Sequence, residues 1–391
     1  MRKSRRRGDL PEKECSQFTE PSYGWIGGFA DATRSAAYND SAIRKPLFRE
    51  TRVADSNPLP VDDDDARRQK HISELISTIK ESADKLASDA ASRGDLKIIS
   101  RSLRELRYAF KVFSPFRGRR KVSIFGSART RPEAPAFQSA VALGKSFAES
   151  NWMVVTGAAQ GIMEAGHIGA GREHSMGLNI MLPFEQSANS VIAGDPKLVN
   201  MKYFFTRKLM FVKECDAVVC LPGGFGTLDE FMEVLTLLQT GKRDMVPIVL
   251  LDEPKGHYWQ GLQDYIETHL LRNRMISPED YALYWLTDDY QQALEHCLQF
   301  YRVYHSMRYV RQKLVLRLSE PLHPLLLESI QASFADLLTS GSFELGAALP
   351  QEKDEPELAH LPRLVFSFNR RSLGRLRMLI DAINRGSVEA A

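Results

Sequence analysis

Between residues 72 and 113 apolar side chains return every three or four positions. The first set is Ile72, Leu75, Ile76, Ile79, Ala83 and Leu86; the second is Leu96, Ile99, Leu103, Leu106, Phe110 and Phe113. That period predicts two amphipathic helices, divided by a break and cap at Gly94-Asp95, the second ending before Pro115. From Lys121 the texture changes to short apolar runs separated by longer helical stretches, as a parallel sheet with crossover helices produces. The runs predict strands at 121–125, 153–156, 175–182, 217–221 and 246–251. Beyond a helix holding Ala293, Leu294, Cys297 and Leu298, the pattern reads strand (313–318), helix (322–338), strand (342–345), strand (363–368) and helix (373–384), with acidic residues 352–357 as a linker. The expected fold class is α/β: a doubly wound, Rossmann-like parallel sheet with an N-terminal helical arm and a small C-terminal α+β domain. The expected boundaries are an irregular arm at 1–65, a helical segment at 66–120, the Rossmann-like domain at 121–303 and the α+β appendage at 304–391.

Composition narrows the function classes. Of 391 residues 43% are apolar, and 52 Lys+Arg stand against 49 Asp+Glu for a net charge of +3. A disordered or collagenous chain is excluded, and so small a charge does not mark a nucleic-acid binder. The basic cluster Arg2-Lys-Ser-Arg-Arg-Arg7 reads as a solvated tail. No apolar run approaches the length of a membrane span; the longest, 246–251, is strand-sized. Neither nucleic acid nor membrane is therefore an expected partner. Cys15, Cys215, Cys220 and Cys297 form no Cys-x-x-Cys pair, and the basic N-terminus lacks an apolar h-region, so a reducing cytoplasmic setting is expected. Asp9, Glu12 and Glu14 argue against a transit peptide. Nine histidines include no His-x-x-x-His or His-Glu-x-x-His, and no metal is expected; His167 and His174 read as core or surface residues.

Three segments carry candidate chemistry. Leu221-Pro-Gly-Gly-Phe-Gly-Thr-Leu-Asp-Glu230 follows an apolar strand and opens an amphipathic helix. Gly223, Gly224 and Gly226 are expected to allow positive φ and close ligand approach, while a helix beginning near Thr227 aims unpaired N–H groups and its positive dipole end at the same spot. A phosphate fits there; a plain strand-to-helix turn is the competing reading. Thr156-Gly-Ala-Ala-Gln-Gly-Ile-Met-Glu164 repeats the strand, glycine turn and helix, and Phe125-Gly-Ser-Ala-Arg129 ends the first strand. None of these spells Gly-x-Gly-x-x-Gly or the Walker pattern, which favours a mononucleotide or sugar phosphate over NAD or a hydrolysable triphosphate. The third segment, residues 203–210, is a helix with an aromatic face carrying adjacent Arg207 and Lys208, a pair that on its own reads as a solvated face.

Pro222-Gly-Gly-Phe-Gly-Thr-Leu-Asp-Glu230 with Arg207-Lys208 upstream resembles the paired signature of the Lonely Guy (LOG) family of nucleoside 5′-monophosphate phosphoribohydrolases, in a long form. The resemblance spans roughly 121–298 and includes Gly126, Ser127, Gly157, Gly161 and Glu164; where the family usually has Gly-Gly-Gly-x-Gly, this chain reads Gly157-Ala-Ala-Gln-Gly161. It implies a nucleotide-binding catalytic domain that hydrolyses the N-glycosidic bond of a monophosphate to free base and ribose 5-phosphate, with Arg207 and Glu230 as the catalytic pair and no cofactor. The 5′-phosphate would rest on Gly223, Gly224, Phe225, Gly226 and Thr227, beside Lys208. The ribose would lie near Asp229 and Glu230, and the base toward the 157–164 loop and Asn189. Arg207 would hold Glu230 ionised, and a carboxylate beside the sugar would stabilise the positive charge built up in glycosidic cleavage. Thr227-Leu-Asp-Glu230 also spells a capping box, a competing role for the same side chain. A carrier or sensor that binds nucleotides in this crevice without turnover is the alternative function. Family members are sometimes labelled lysine decarboxylases, but no lysine stands in a recognisable pyridoxal-phosphate context. The long helical stripe and the family resemblance imply a homodimer or larger homo-oligomer.

Overall fold

The computed structural model describes residues 63–182 and 187–386, with side chains from residue 69 onward. The basic tail, Cys15 and nearly all of the expected irregular arm lie outside the described residues. Helices α1 (Asp63–Ser88) and α2 (Arg93–Phe113) come first. The cap between them is Ser92: its Oγ accepts from Asp95 N at 3.2 Å while Asp95 Oδ2 accepts from Ser92 N at 2.9 Å. Gly94 thus lies inside α2, not at its cap. The C-terminal part of α2 turns inward, burying Glu105, Ala109 and Phe113, whereas Ile72, Leu75, Ile76, Ile79, Leu96, Ile99 and Leu103 remain 41–54% exposed.

Seven strands then build one parallel sheet: β1 (Lys121–Phe125), β2 (Met153–Thr156), β3 (Ser175–Ile180), β4 (Leu198–Met201), β5 (Ala217–Cys220), β6 (Ile248–Leu251) and β7 (Trp285–Thr287), in the order β4-β3-β2-β1-β5-β6-β7. The crossovers are α3 (Pro135–Glu149), α4 (Ile162–His174), α5 (Phe204–Glu214), α6 (Phe225–Gln239) and α7 (Tyr258–Tyr265), and α8 (Tyr290–Gln299) follows the last strand. Strand residues alternate between two cores. Val122, Ile124 and Val154 join Phe137, Leu143, Phe147, Ala165 and Ala293 on the α3, α4 and α8 face. Phe125, Met153 and Val155 join Phe211, Phe231, Leu238 and Trp259 on the α5, α6 and α7 face. Both faces are covered, as a doubly wound sheet requires. Glycine sets the α3–α4 spacing: a methyl group on Gly169 would stand 1.9 Å from the Val141 carbonyl oxygen.

The last section is an antiparallel sheet of order β10-β11-β9-β8, made of β8 (Tyr304–Val310), β9 (Lys313–Leu318), β10 (Leu338–Gly346) and β11 (Arg363–Phe368), with helices α9 (Pro324–Ser333) and α10 (Leu373–Arg385). Its Tyr304, Leu316, Phe366, Leu376 and Ile380 belong to the same core as Phe231 and Trp259. The acidic stretch at 352–357 is not a linker. Glu352 is buried, with Arg317 Nη2 at 2.8 Å from Oε1 and Arg363 Nε at 3.2 Å from Oε2, while Glu355 takes Arg308 at 2.7 Å and Arg317 at 2.5 Å.

Candidate active site

The strand order reverses between β1 and β5, so the loops leaving their carboxyl ends border an open crevice. Backbone bonds tie three loops together: Ser127 N donates to Pro222 O, and Ile162 N to Ser127 O, each at 3.1 Å. The glycines serve this close approach. Gly161, at φ +64°, leaves no room for a side chain against Ser127 O, and a methyl group on Gly223 would stand 2.1 Å from Thr227 Oγ1. Gly224 and Gly226 instead face open space. None of the three glycines before Thr227 has positive φ, contrary to expectation; what they supply is room.

The helix after the loop begins earlier than the sequence suggested. α6 has Gly224 as N-cap and Phe225 as its first residue, so Thr227 is the third helical residue and Glu230 the sixth. The Thr-x-x-Glu capping box is therefore not formed, and Glu230 is released from that role. No side chain caps α6; the Thr227 and Leu228 amides donate to Gly224 O, which leaves the Phe225 and Gly226 amides at the helix start beside the crevice, where the helix dipole favours an anion. The Tyr258 hydroxyl fixes the loop from behind by donating to Gly223 O at 2.6 Å.

The crevice encloses about 680 Å³, within the range of a small-ligand site. Lining it are Gly126, Ser127, Gly157, Arg207, Gly223, Gly224, Phe225, Gly226, Thr227 and Glu230 of the expected set, with Phe125, Ala128, Arg129, Met163 and Leu228 added. Arg129 and Met163 lie within the segments singled out in the sequence but are not among the expected site residues, although both follow the carboxyl end of a strand within a few residues of its glycine. The other expected residues sit elsewhere. Gly161 packs beneath the β1 loop. Glu164 accepts from Ser190 Oγ at 3.5 Å. Asp229 points to solvent with 59% of its side chain exposed.

Asn189 is buried behind the second loop: its N donates to Ala158 O at 2.8 Å and its Nδ2 to Ala159 O at 3.1 Å. It also meets His167 Nδ1. His167 is a core residue whose Nε2 stands 3.0 Å from Met176 O, which can only accept. That bond assigns the neutral Nε2–H tautomer, and burial lowers its pKa to about 4.

Arg207 and Glu230 meet across the crevice floor, Nη2 to Oε1 at 3.5 Å, with side chains 13% and 6% exposed. The Arg207 guanidinium lies over the Phe204 and Phe211 rings at 5.3 and 5.7 Å, and its buried Nε has no hydrogen-bond partner. Lys208 reaches Glu230 Oε2 at 3.5 Å but also Asp229 at 3.0 Å and Glu233 at 2.5 Å, so it clamps carboxylates instead of lining the crevice. Burial pushes the Glu230 carboxyl above the ordinary carboxylate range, and Lys208 and Arg207 take back only part of that shift. Arg207 does favour the ionised form of Glu230, as expected, together with Lys208, while desolvation sets the direction of the net shift. A residue unforeseen in the sequence places α5. Buried Glu105 of α2 accepts from Lys202 N at 2.8 Å and Thr206 Oγ1 at 2.9 Å, and these bonds with Arg101 hold its pKa low despite burial.

Residues 156–297 match the family model described as "Possible lysine decarboxylase". The chain is 31% identical over 166 residues to the cytokinin riboside 5′-monophosphate phosphoribohydrolase LOG3 of Arabidopsis thaliana, covering 41% of this chain and 73% of that one. The chain belongs to the LOG family. A cytokinin riboside 5′-monophosphate phosphoribohydrolase of Mycobacterium marinum is 28% identical, matched over 46% of the LOG-family chain and 94% of its own length. Coverage of the rice relatives LOG4 and LOGL2 is 60% and 57% of their lengths. Among solved structures, the molybdenum cofactor carrier protein of Chlamydomonas reinhardtii aligns over 46% of this chain and 98% of its own with 17% identity and a TM-score of 0.33. As for the decarboxylase label, no lysine lines the crevice among the described residues, and Lys208 is held by three carboxylates, so the site does not fit a Schiff base with pyridoxal phosphate. Among the described residues no helix is long and apolar enough to cross a membrane.

Proposed function

We propose that this LOG-family chain hydrolyses the N-glycosidic bond of a nucleoside 5′-monophosphate, water adding to the ribose carbon as the base departs and ribose 5-phosphate remains. The observation that carries the reading is the convergence of Arg207 and Glu230 on a crevice floored by an uncapped helix start. The 5′-phosphate would dock on the first turn of α6, where N–H groups and Arg207 or Arg129 neutralise it. The ribose then lies over Glu230. As the glycosidic bond lengthens, positive charge grows on the sugar ring, and the ionised carboxylate stabilises it or accepts a proton from the attacking water. Burial, by raising the pKa of the Glu230 carboxyl, makes its carboxylate a stronger base than an exposed one. The named substrates of the relatives make cytokinin riboside monophosphates the first candidates, with AMP beside them. The exposed apolar stripe of α1 and α2 supports the further proposal of a homo-oligomer, which light scattering tests.

A panel of monophosphates assayed for ribose 5-phosphate tests the activity. Release from at least one, and none from the matching nucleosides, is the expected result; binding of every monophosphate with cleavage of none would leave the crevice a carrier or sensor site.

A further inference from the structure

A second basic cavity, of about 340 Å³, opens at the amino-terminal ends of β1, β5 and β6, away from the crevice at their carboxyl ends. Its walls come from the carboxyl end of α5 (Val212, Lys213), the residues after α6 (Lys242, Arg243, Asp244) and the start of β8 (Tyr304, His305). Four fixed cations, Arg120, Lys213, Lys242 and Arg243, face two carboxylates, Asp216 and Asp244. Asp216 is already satisfied, by Arg120 Nη1 at 3.3 Å and the Lys121 amide at 2.9 Å. Lys213 is paired with Glu214 at 2.5 Å. Asp244 is the carboxylate neighbour of Arg243, which leaves Lys242 and one Arg243 nitrogen to account for. Lys242 is exposed and makes no ion pair among the described residues. Arg243 donates through Nη2 to the Cys215 carbonyl, while its Nη1 is buried without a hydrogen-bond partner. A buried guanidinium nitrogen left unpaired is costly, and an anion is the group that would satisfy it. Arg120 lies flat on the Tyr301 ring at 3.5 Å, which holds a second guanidinium rigidly on the same wall.

We propose that this cavity is a second anion site, taking a small phosphate-bearing molecule between Arg243, Lys242 and Arg120. It lies at the carboxyl end of α5, the helix that carries Arg207, and beside the residues that follow α6, the helix that carries Glu230. The site is independent of the proposed hydrolysis.

The test is a calorimetric titration of inorganic pyrophosphate into three full-length chains: wild type, Lys242→Glu, and Gly226→Asp, which puts a carboxylate into the crevice loop. Wild type should bind, Gly226→Asp should keep binding at this site, and Lys242→Glu should weaken it at least about tenfold by replacing attraction with repulsion. Lys242 is exposed, so that variant should fold; Arg243→Gln, checked by circular dichroism, should abolish the same binding. Absence of wild-type binding, equal affinity in Lys242→Glu, or loss of all binding in Gly226→Asp alone would each overturn the assignment.

Discussion

Glu230→Gln separates chemistry from packing. The carboxylate sits at the sixth position of α6, beyond the reach of the N-cap, with Arg207 and Lys208 each 3.5 Å from one of its oxygens. Glutamine keeps the shape and helix propensity and removes only the charge. Two effects on stability then oppose each other. The variant no longer buries an ionised carboxylate, but Arg207 loses its counter-charge, while Lys208 keeps Asp229 and Glu233. Their difference should lie within about 1–2 kcal/mol, well short of the roughly 3–5 kcal/mol that breaking a deeply buried pair costs. Turnover should fall by at least about 10²-fold, the usual contribution of a positioned general base.

The pH dependence carries the same signature. Because the folded-state pKa of Glu230 is raised, the fold holds a proton that the unfolded chain has already released just above the ordinary carboxylate value. Wild type therefore loses stability as pH rises through that window, and Glu230→Gln does not. Paired melting curves and ribose 5-phosphate assays across acid to neutral pH measure both. Turnover above about half that of wild type in the variant would refute the catalytic role of Glu230.

Three other outcomes follow from the packing. His167 titrates near 4 in the fold against 6.5 when unfolded, so its contribution is present above 6.5 and lost as pH falls toward 4, by about 3 kcal/mol in full; urea melts should show that slope flattened in His167→Gln. Gly224→Ala meets no protein atom within 4 Å but puts a poor N-cap at the start of α6, so it should cost about 1 kcal/mol of stability and also weaken monophosphate binding in calorimetry because the methyl group occupies ligand space. Glu352→Ala leaves Arg317 and Arg363 buried without their shared carboxylate and should cost roughly 3–5 kcal/mol, read as a lower midpoint in denaturant.

The doubly wound core was legible because its central strands are fully buried and mostly apolar, and β1 and β2 run directly into glycine. The edges were not. β4 and β7 are four and three residues long, and β7 is only half-buried, so neither makes a run that stands out from loop. β8 was missed for a different reason: a register shift between Tyr304 and Ser306 turns its buried positions into Tyr304, Met307 and Val310, a spacing of three that resembles neither strand nor helix. Glu352 read as part of a linker because its two arginine partners lie 35 and 11 residues away along the chain. The Arg207–Glu230 pairing was legible only through the signature, since 23 residues separate the two. Its anchor, Glu105, was not, because a buried glutamate on an amphipathic helix looks like one more solvated charge.

The remaining question about the site is why a carboxylate with two cations within 3.5 Å keeps a raised pKa, and the answer lies in how Lys208 is shared. Its ammonium is closest to Glu233 at 2.5 Å, then Asp229 at 3.0 Å, and only third to Glu230. Burial is the largest cause of the rise, and the like charges of Glu233 and Asp229, which Lys208 gathers beside Glu230, add to it against the pull of Lys208 and Arg207. Glu233, one turn along α6 and 35% exposed, is then a tuning residue that touches no substrate. Glu233→Gln should release Lys208 toward Glu230 and remove a like charge, both of which lower the Glu230 pKa. The acid limb of the turnover profile should move to lower pH, while KM for the monophosphate stays within about twofold and the melting temperature changes little, as expected for a partly exposed ion pair. A purely structural Glu233 would lower activity equally at every pH; an acid limb that does not move would mean that Lys208 does not set the proton affinity of Glu230.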